Sequence, residues 1–244
     1  MGSTDKEVRQ IEAIHVSMHG YTAFFNHTFL RTAIQITLPT PTYSSLLGLV
    51  SACADKTVYP KDTRIGFEFR HVSESEELER TNTRLKLGRK NRVLKEVNEQ
   101  GLMRRRIHFR PQLDLYLTNL DLAYAFTNPA APPCLGRSQD LCWINKVEPV
   151  TLTPVRSGNL GSTMIDSKII TKNIPSLIVR SAEWFDNEVT GRTRTVGDIG
   201  FYQVIPPGFA YQQERIKVSM PHLYHPSNLE TLDDVIYIHQ WSNS

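Results

Sequence analysis

The sequence predicts an α+β fold, because it combines one clear helix pattern with several strand patterns. Residues 43–54 carry apolar side chains at helical spacing, and residues 64–72 alternate between apolar and polar side chains. A strongly charged segment follows this strand pattern and precedes the next one. Such a chain is expected to pack a helix on a sheet and to let the charged segment project from it.

The predicted helix over residues 43–54 has a favourable start and a continuous apolar side. Thr42 precedes it and is a suitable N-cap residue. Gly48 lies inside the helix, which predicts close packing against a sheet at that point. The apolar stripe consists of Leu46, Leu47, Leu49, Val50, Cys53 and Ala54.

Strand patterns lie on both sides of this helix. Pro111 interrupts one of them and predicts a sheet edge or a bulge, and Trp143 and Val147 are candidate core residues of another. With the helix, this order fits a ferredoxin-like (RRM-like) sandwich whose second helix is weak or short. The predicted strands cover residues 11–18, 64–72, 106–118, 141–152 and 235–241.

We divide the chain at residue 155. Residues 1–155 are expected to form the ferredoxin-like domain, and residues 156–244 a small β-rich C-terminal domain. Residues 156–173 are rich in Gly, Ser and Thr, which predicts a linker or mobile loop. Thr190 and Gly191 predict a turn between two short strands.

The charge of the chain is concentrated between residues 80 and 106. This segment holds ten of the 28 Lys and Arg residues and only two glutamates. Since the whole chain carries +3 and the segment +8, the rest carries about −5. Cations at this density displace counterions from a phosphate backbone, so the segment predicts a nucleic-acid partner. A solvated charged hairpin without a partner is the alternative.

Two further segments could bind phosphate. Unpaired amides at the start of the predicted helix attract anions, with Tyr43 able to stack on a base and Ser44 able to donate a hydrogen bond. Gly136 would permit close approach of a backbone, with Arg137 and Ser138 as phosphate ligands. An ordinary capped helix and an ordinary loop are the alternatives.

Signatures of catalysis, metal binding and membrane insertion are missing from the sequence. There is no phosphate-binding loop, nucleophile elbow or zinc-binding helix motif, and the eight histidines show no metal-ligand spacing. We therefore expect no catalytic residue, no metal and no cofactor. The polar first residues and the lack of a long apolar stretch predict a cytoplasmic protein without membrane contact.

Four segments together resemble the fifth Cas protein family of type I CRISPR systems, over about residues 10–150. They are residues 24–31 (FFNHTFLR), 39–50 (PTPTYSSLLGLV), 106–117 (RIHFRPQLDLYL) and 134–141 (CLGRSQDL). The resemblance implies a ferredoxin-like domain with a long basic β-hairpin, the thumb, at about residues 73–106. It further implies a small C-terminal sheet domain and a subtype I-B-like system.

The resemblance implies a non-catalytic Cascade subunit for RNA-guided DNA recognition in antiviral defence. Such a subunit binds the 5′ handle of the CRISPR RNA (crRNA), the backbone and large subunits, and target DNA near the protospacer-adjacent motif (PAM). If the system is carried by a transposon, transposition proteins are further partners. The RNA-binding residues expected on charge and on this resemblance are Arg31, Tyr43, Ser44, Arg70, Lys86, Arg89, Lys90, Arg92, Arg104, Arg105, Arg106, His108, Arg137 and Ser138.

Two other functions remain open at this point. One branch of the family cleaves the precursor RNA without a metal, and here Tyr43, His108 and either Lys90 or Lys95 could take the three catalytic roles. Arg106 and Ile107 precede His108, so the adjacent Lys-His pair of that branch is missing. A general single-stranded RNA binder unrelated to CRISPR is the other alternative.

Overall fold

A computed structural model describes residues 10–27, 34–87, 93–169, 174–186, 195–207 and 215–242, without the side chains of Ile34 and of residues 81–100. Within these ranges no helix is long and apolar enough to cross a bilayer. The helices are α1 (Tyr43–Ala54) and α2 (Ala123–Thr127). The strands are β1 (Ile11–Gly20), β2 (Thr22–Ala23), β3 (Ile34–Gln35), β4 (Ile65–Arg70), β5 (Ser73–Leu87), β6 (Val93–Phe109), β7 (Gln112–Leu117), β8 (Cys142–Leu160), β9 (Met164–Asp166), β10 (Leu177–Ala182), β11 (Phe185–Asp186), β12 (Thr195–Val196), β13 (Ile199–Val204), β14 (Ile216–Pro226) and β15 (Asp234–Tyr237).

A curled six-stranded sheet forms the centre of the molecule, in the order β14-β15-β8-β1-β7-β4. Its neighbouring strands are antiparallel except β15 and β8, which run parallel. Smaller sheets lie beside it: β10-β13-β9, β11-β12, and one in which β5, β2 and β3 all pair with β6. The prediction of a mixed fold is therefore confirmed in this form: mostly strands with few helices.

Helix α1 begins and ends at the predicted residues. Its N-cap is Thr42, whose hydroxyl oxygen accepts a hydrogen bond of 3.2 Å from the Ser45 amide. All six residues of the predicted apolar stripe are buried, and they pack in the main core with Phe67 and Leu115 of the sheet. Burial of this stripe holds the helix on the sheet, because a helix of 12 residues has little stability alone.

Gly48 does not contact the sheet, so the prediction of close packing there is wrong. A Cβ atom built on Gly48 would meet nothing within 4 Å beyond the adjacent helix backbone. We expect Gly48→Ala to raise the free energy of unfolding by about 0.5–1 kcal/mol, because alanine loses less backbone entropy in a helix. Urea denaturation of the two proteins measures this difference, and a loss of stability would show that the open space is filled in solution.

The pattern over residues 106–118 is two strands and not one, so the single strand predicted there is wrong. β6 ends at Phe109 and β7 begins at Gln112. Between them Arg110 adopts the left-handed conformation, with φ of 50°. Its amide donates a 2.9 Å hydrogen bond to the carbonyl of Tyr21, which fixes the turn. Pro111 therefore lies in a tight connection between neighbouring sheets.

The predicted linker over residues 156–173 is also wrong where the structure describes it. β8 continues through the predicted boundary at residue 155 to Leu160, and β9 follows soon after. Gly158 is needed for close approach, since a Cβ there would lie 2.7 Å from the Asp233 carbonyl oxygen. β14 and β15 pair with β8, so the last third of the chain extends the sheet formed by the first part.

Two further predictions concern the last third of the chain. The turn predicted at residues 190–191 lies outside the described residues. The last strand ends earlier than predicted, at Tyr237.

A buried polar cluster connects the end of the chain to the strands of the C-terminal part. The Glu183 carboxylate accepts hydrogen bonds from the hydroxyls of Tyr202, at 3.0 Å, and Ser242, at 2.8 Å. His239 Nε2 lies 3.3 Å from the same carboxylate. Burial raises the pKa of Glu183, but the contact with His239 and the hydrogen bonds from Ser242 outweigh it and lower the pKa to about 2.

This cluster predicts a loss of stability in acid. Because the pKa of Glu183 is lower in the folded state, the carboxylate stabilises the fold above its ordinary pKa of 4.5. That contribution, about 3 kcal/mol, is lost as the pH falls from 4.5 towards 2. We expect Glu183→Gln to be less stable at pH 7 and to lose less stability than the natural protein between pH 5 and pH 3. Urea midpoints across this range measure the difference, and parallel curves would contradict it.

Candidate nucleic-acid interface

The most prominent feature outside the central sheet is the hairpin formed by β5 and β6. The two strands pair from Ser73↔Phe109 to Leu87↔Val93. β2 and β3 pair with β6 only between Arg104 and Phe109. We call residues 73–80 and 101–109 the stem and residues 81–100 the outer part. In the outer part, the two strands pair only with each other among the described residues, so the outer part extends from the body as a two-stranded ribbon.

Ion pairs across the two strands engage three of the four arginines of the stem. The antiparallel register places the acidic run of β5 opposite the basic run of β6, as in Glu76↔Arg106 and Glu77↔Arg105. Each of the four glutamates is paired with an arginine. The pairs are Glu76 with Arg104 at 2.5 Å, Glu74 with Arg106 at 3.4 Å, Glu79 with Arg105, and Glu77 with Arg137 at 2.5 Å.

The excess positive charge of the hairpin therefore belongs to its outer part. The stem has four arginines and four glutamates, and its net charge is zero. The outer part has six basic residues and two glutamates, which leaves +4. The side chains of Lys86, Arg89, Lys90 and Arg92, all predicted to bind RNA, lie outside the described residues, as does Arg31. The charge that could attract a phosphate backbone is thus carried by the ribbon.

A groove of about 270 Å³ lies beside the stem. The side chains of Arg104 and Arg106 are more than half exposed and border it, although both are ion-paired. The hydroxyl of Thr37 donates to the carbonyl of Arg106 and joins the two walls. The residues that line the groove are Gln35, Ile36, Thr37, Glu76, Arg104, Arg105 and Arg106. The groove offers polar side chains and an exposed apolar one to a ligand lying along the stem.

Exposed aromatic side chains lie where the hairpin joins the sheet. Tyr21 and Trp143 meet edge to face with ring centroids 5.3 Å apart, and both are exposed. Phe109 pairs with Thr22, the residue after Tyr21, and is also exposed. The Arg110 guanidinium lies 5.7 Å from the Phe109 ring centroid. Exposed rings beside a cation are the surface on which single-stranded nucleic-acid bases stack. No local pattern in the sequence predicts this surface, because its rings come from separate segments of the chain.

The strand pattern predicts Trp143 to be a core residue, and this prediction is wrong, since 44% of the residue is exposed. The pairing of β1 with β8 shifts register between Ser17 and Met18, so that Asn145 is an extra residue on β8. This bulge reverses the alternation of side chains along β8. Val147 therefore packs against the core, while Trp143 faces outward. A sequence pattern does not reveal such a bulge.

Tyr43 and His108, which were considered for binding and catalysis, are both buried, with 1% of each exposed. The Tyr43 hydroxyl donates to the carbonyl of Met164, and its ring stacks on His239 with centroids 4.0 Å apart. Burial raises the pKa of Tyr43 well above its ordinary value. His108 Nε2 lies 2.9 Å from the Leu38 carbonyl oxygen, and burial lowers the pKa of the ring. In this arrangement neither ring can stack on a base.

Comparisons with known proteins give a fold but no sequence family. No protein-family model and no curated protein matches the chain. A chain of a solved CRISPR RNA-guided surveillance complex aligns with a TM-score of 0.51 and 11% identity, covering 86% of this chain and 91% of its own. The chain has a Cas-like fold. A CRISPR protein from Archaeoglobus fulgidus aligns with a TM-score of 0.46 and 10% identity, covering 94% of this chain and all of its own. A further Cas protein aligns with a TM-score of 0.37 and 13% identity, covering 80% of this chain and 95% of its own.

The remaining predicted residues occupy different parts of this Cas-like fold. Ser44 is half buried, and its hydroxyl lies 2.9 Å from that of Thr42 inside the helix cap. Arg70 lies on β4 of the central sheet, where it forms an ion pair with Asp114 of β7. Ser138 is exposed. None of these three joins the stem arginines.

Arg105 and Arg137 meet at the ring of Phe24, although they are far apart in the sequence. Their guanidinium carbons lie 5.0 Å and 5.6 Å from the ring centroid of Phe24. Gly136 permits a close approach, but to protein: a Cβ there would overlap the Phe24 carbonyl, and its φ is 109°. The loop predicted to bind phosphate is therefore packed against Phe24.

Proposed function

We propose that this chain is a non-catalytic RNA-holding subunit of a type I CRISPR surveillance complex and that it grips the 5′ handle of the guide RNA. The observation that carries the proposal is the division of charge along the hairpin. A stem of zero net charge carries an outer part of +4 away from the body. Phosphate would be attracted to the ribbon, while the exposed aromatic rings at its foot would stack on unpaired bases.

The fold supports this assignment. The chain shares its Cas-like fold with a subunit of an RNA-guided surveillance complex over most of both chains. We further infer that β1, α1, β4, β7, α2 and β8 form a ferredoxin-like unit, because they follow the order strand-helix-strand-strand-helix-strand. The hairpin is then an insertion between the second and third strands of this unit. Backbone and large subunits of the complex, and target DNA near the PAM, are the partners that we propose.

The endoribonuclease alternative has less support. Tyr43 and His108 would have to contact RNA, yet both are buried and engaged with backbone carbonyls. General acid–base catalysis requires a side chain within hydrogen-bond reach of the reacting proton. Incubating the purified protein with repeat RNA in EDTA tests this alternative. Specific cleavage that is lost in His108→Ala would replace the proposal above.

Co-purification tests the main proposal. The tagged chain is expressed with the other subunits of its complex and a CRISPR array, and the RNA that co-purifies is sequenced from its 5′ end. We expect one uniform 5′ sequence and retention of the other subunits. Mixed RNAs without a fixed 5′ end would favour a general single-stranded RNA binder instead.

A further inference from the structure

Three potential metal ligands meet at the foot of the stem, beside the surface considered so far. His71 follows β4, Glu74 lies at the start of β5, and His108 lies near the end of β6. Glu74 Oε1 is 3.7 Å from His71 Nε2 and 3.6 Å from His108 Nδ1. One ligand atom from each of the three residues lies within 4.8 Å of the other two. His71 and His108 are far apart in the sequence, and only the hairpin pairing brings them together.

The hydrogen-bond pattern of His108 leaves a lone pair facing a carboxylate. Its Nε2 lies 2.9 Å from the Leu38 carbonyl oxygen, which can only accept, so Nε2 carries the proton. In the neutral ring, Nδ1 then has a free lone pair, and the oxygen in front of it belongs to Glu74, another acceptor. Nδ1 is buried and has no hydrogen-bond partner. Two acceptors that face each other repel unless a proton or another cation lies between them, and a metal ion bound by both would meet this requirement.

His71 approaches the same carboxylate oxygen with its Nε2, at 3.7 Å. Its other nitrogen, Nδ1, is buried without a hydrogen-bond partner, and its ring stacks on that of His108 with centroids 4.6 Å apart. The rings of Phe25 and Phe69 surround His108 at 5.8 Å and 5.4 Å. An ionic contact in such apolar surroundings is poorly screened.

We propose that His71, Glu74 and His108 bind a divalent transition-metal ion, with Zn²⁺ as the best fit, which joins the two strands at the foot of the hairpin. Zinc prefers imidazole nitrogen and carboxylate oxygen at about 2.0–2.2 Å, which separates tetrahedral ligands by about 3.3 Å. The distances of 3.6 Å and 3.7 Å to Glu74 approach this value. The hydrogen bond from His108 Nε2 to the Leu38 carbonyl would fix the ring so that Nδ1 faces the ion, as a hydrogen bond on the opposite nitrogen does for most metal-binding histidines.

Glu74 gives the site an entrance and a connection to the stem charges. Its side chain is 26% exposed, so an ion can enter from solvent and keep water as a fourth ligand. Its other oxygen, Oε2, lies 3.4 Å from Arg106. A bound ion would compete with Arg106 for this carboxylate and would make the foot of the stem more positive. The site thus adds a structural and electrostatic element to the hairpin, and it does not depend on the proposed function.

Metal titration of the RNA-free protein tests this proposal. The protein is stripped with EDTA, dialysed, and titrated with ZnCl₂ by calorimetry, with Co²⁺ as a spectroscopic probe. We expect one equivalent of Zn²⁺, visible absorption bands typical of four-coordinate Co²⁺, and a higher thermal midpoint with Zn²⁺. Glu74→Gln should weaken binding at least tenfold and abolish the thermal shift, because loss of a direct ligand exceeds the 10- to 100-fold cost typical of its supporting contacts.

Two further variants separate this site from other metal-binding groups. His71→Asn should weaken Zn²⁺ binding as Glu74→Gln does. Glu76→Gln is the matched control, because Glu76 is an exposed glutamate on the same strand that pairs with Arg104 instead of the histidines. It should bind Zn²⁺ as the natural protein does. Absence of saturable binding to the natural protein, or equal affinity in all three variants, would overturn the proposal. RNA is absent from these measurements, so their failure would leave the proposed function intact.

Discussion

Replacing Arg89, Lys90 and Arg92 together by glutamate is expected to lower the affinity for guide RNA about a hundredfold at 0.1 M salt. The stem is electrically neutral, so these three residues hold half of the six cations in the outer part of the hairpin. Each cation that neutralises a phosphate releases counterions, which gives a slope of about −0.7 per contact for single strands. The slope of log K against log salt should therefore become shallower by about 2. Filter binding or fluorescence anisotropy over a salt series measures both quantities.

A second triple variant controls for net charge alone. Lys56, Lys61 and Lys217 are exposed and lie away from the hairpin, so replacing them by glutamate changes the net charge by the same amount. We expect this variant to bind RNA within about threefold of the natural protein, because charges beyond a Debye length of about 10 Å are screened. Equal losses in the two triple variants would mean that the hairpin is not the RNA-binding element.

Local patterns predicted those parts of the fold in which neighbours along the chain determine the structure. Helix α1 and its Thr42 cap follow from one apolar stripe and one hydroxyl, and both were predicted to the residue. The strand at 64–72 was predicted from its alternation and is observed as β4. The charge of the insertion and its position between strand patterns predicted that it projects, and the family resemblance implied a long hairpin; β5 and β6 form that hairpin.

Pairing across strands accounts for most of what the sequence did not reveal. The acidic run of β5 and the basic run of β6 appear as separate blocks along the chain, and only the register shows that they neutralise each other. The same register brings His71 and His108 together. The bulge near Ser17 that turns Trp143 outward is a second case, because it depends on how β1 meets β8. The Gly, Ser and Thr content of residues 156–173 predicted a linker, but Gly158 lies in a strand and permits close packing.

Arg137 is the predicted RNA ligand for which the structure gives the clearest different role. Its Nε and Nη2 donate hydrogen bonds of 2.7 Å and 2.8 Å to Asp140, and its Nη1 lies 2.5 Å from Glu77. Asp140 is completely buried, at 0% exposure. Its other side-chain contact, a 2.6 Å hydrogen bond from the Thr22 hydroxyl, brings no positive charge. These contacts with Asp140 and Glu77 also raise the pKa of Arg137 above its ordinary value.

We expect Arg137→Ala to lower the free energy of unfolding by about 3 kcal/mol, because it leaves the Asp140 carboxylate buried without a counter-ion. For a chain of this length, the thermal midpoint should fall by roughly 10 °C. The double variant with Asp140→Asn should recover part of this loss, since the buried charge is then gone. Ser138→Ala, an exposed neighbour in the same loop, should stay within about 0.5 kcal/mol of the natural protein.

RNA binding by the same variants separates the two roles of Arg137. If the guanidinium holds the loop against Phe24 and the stem, Arg137→Ala should bind RNA within about threefold of the natural protein wherever both are folded. If it contacts phosphate, affinity should fall without a matching loss of stability, and the salt slope should become shallower by about 0.7. The first outcome is expected, because both carboxylates in contact with Arg137 would have to release it before it could bind RNA.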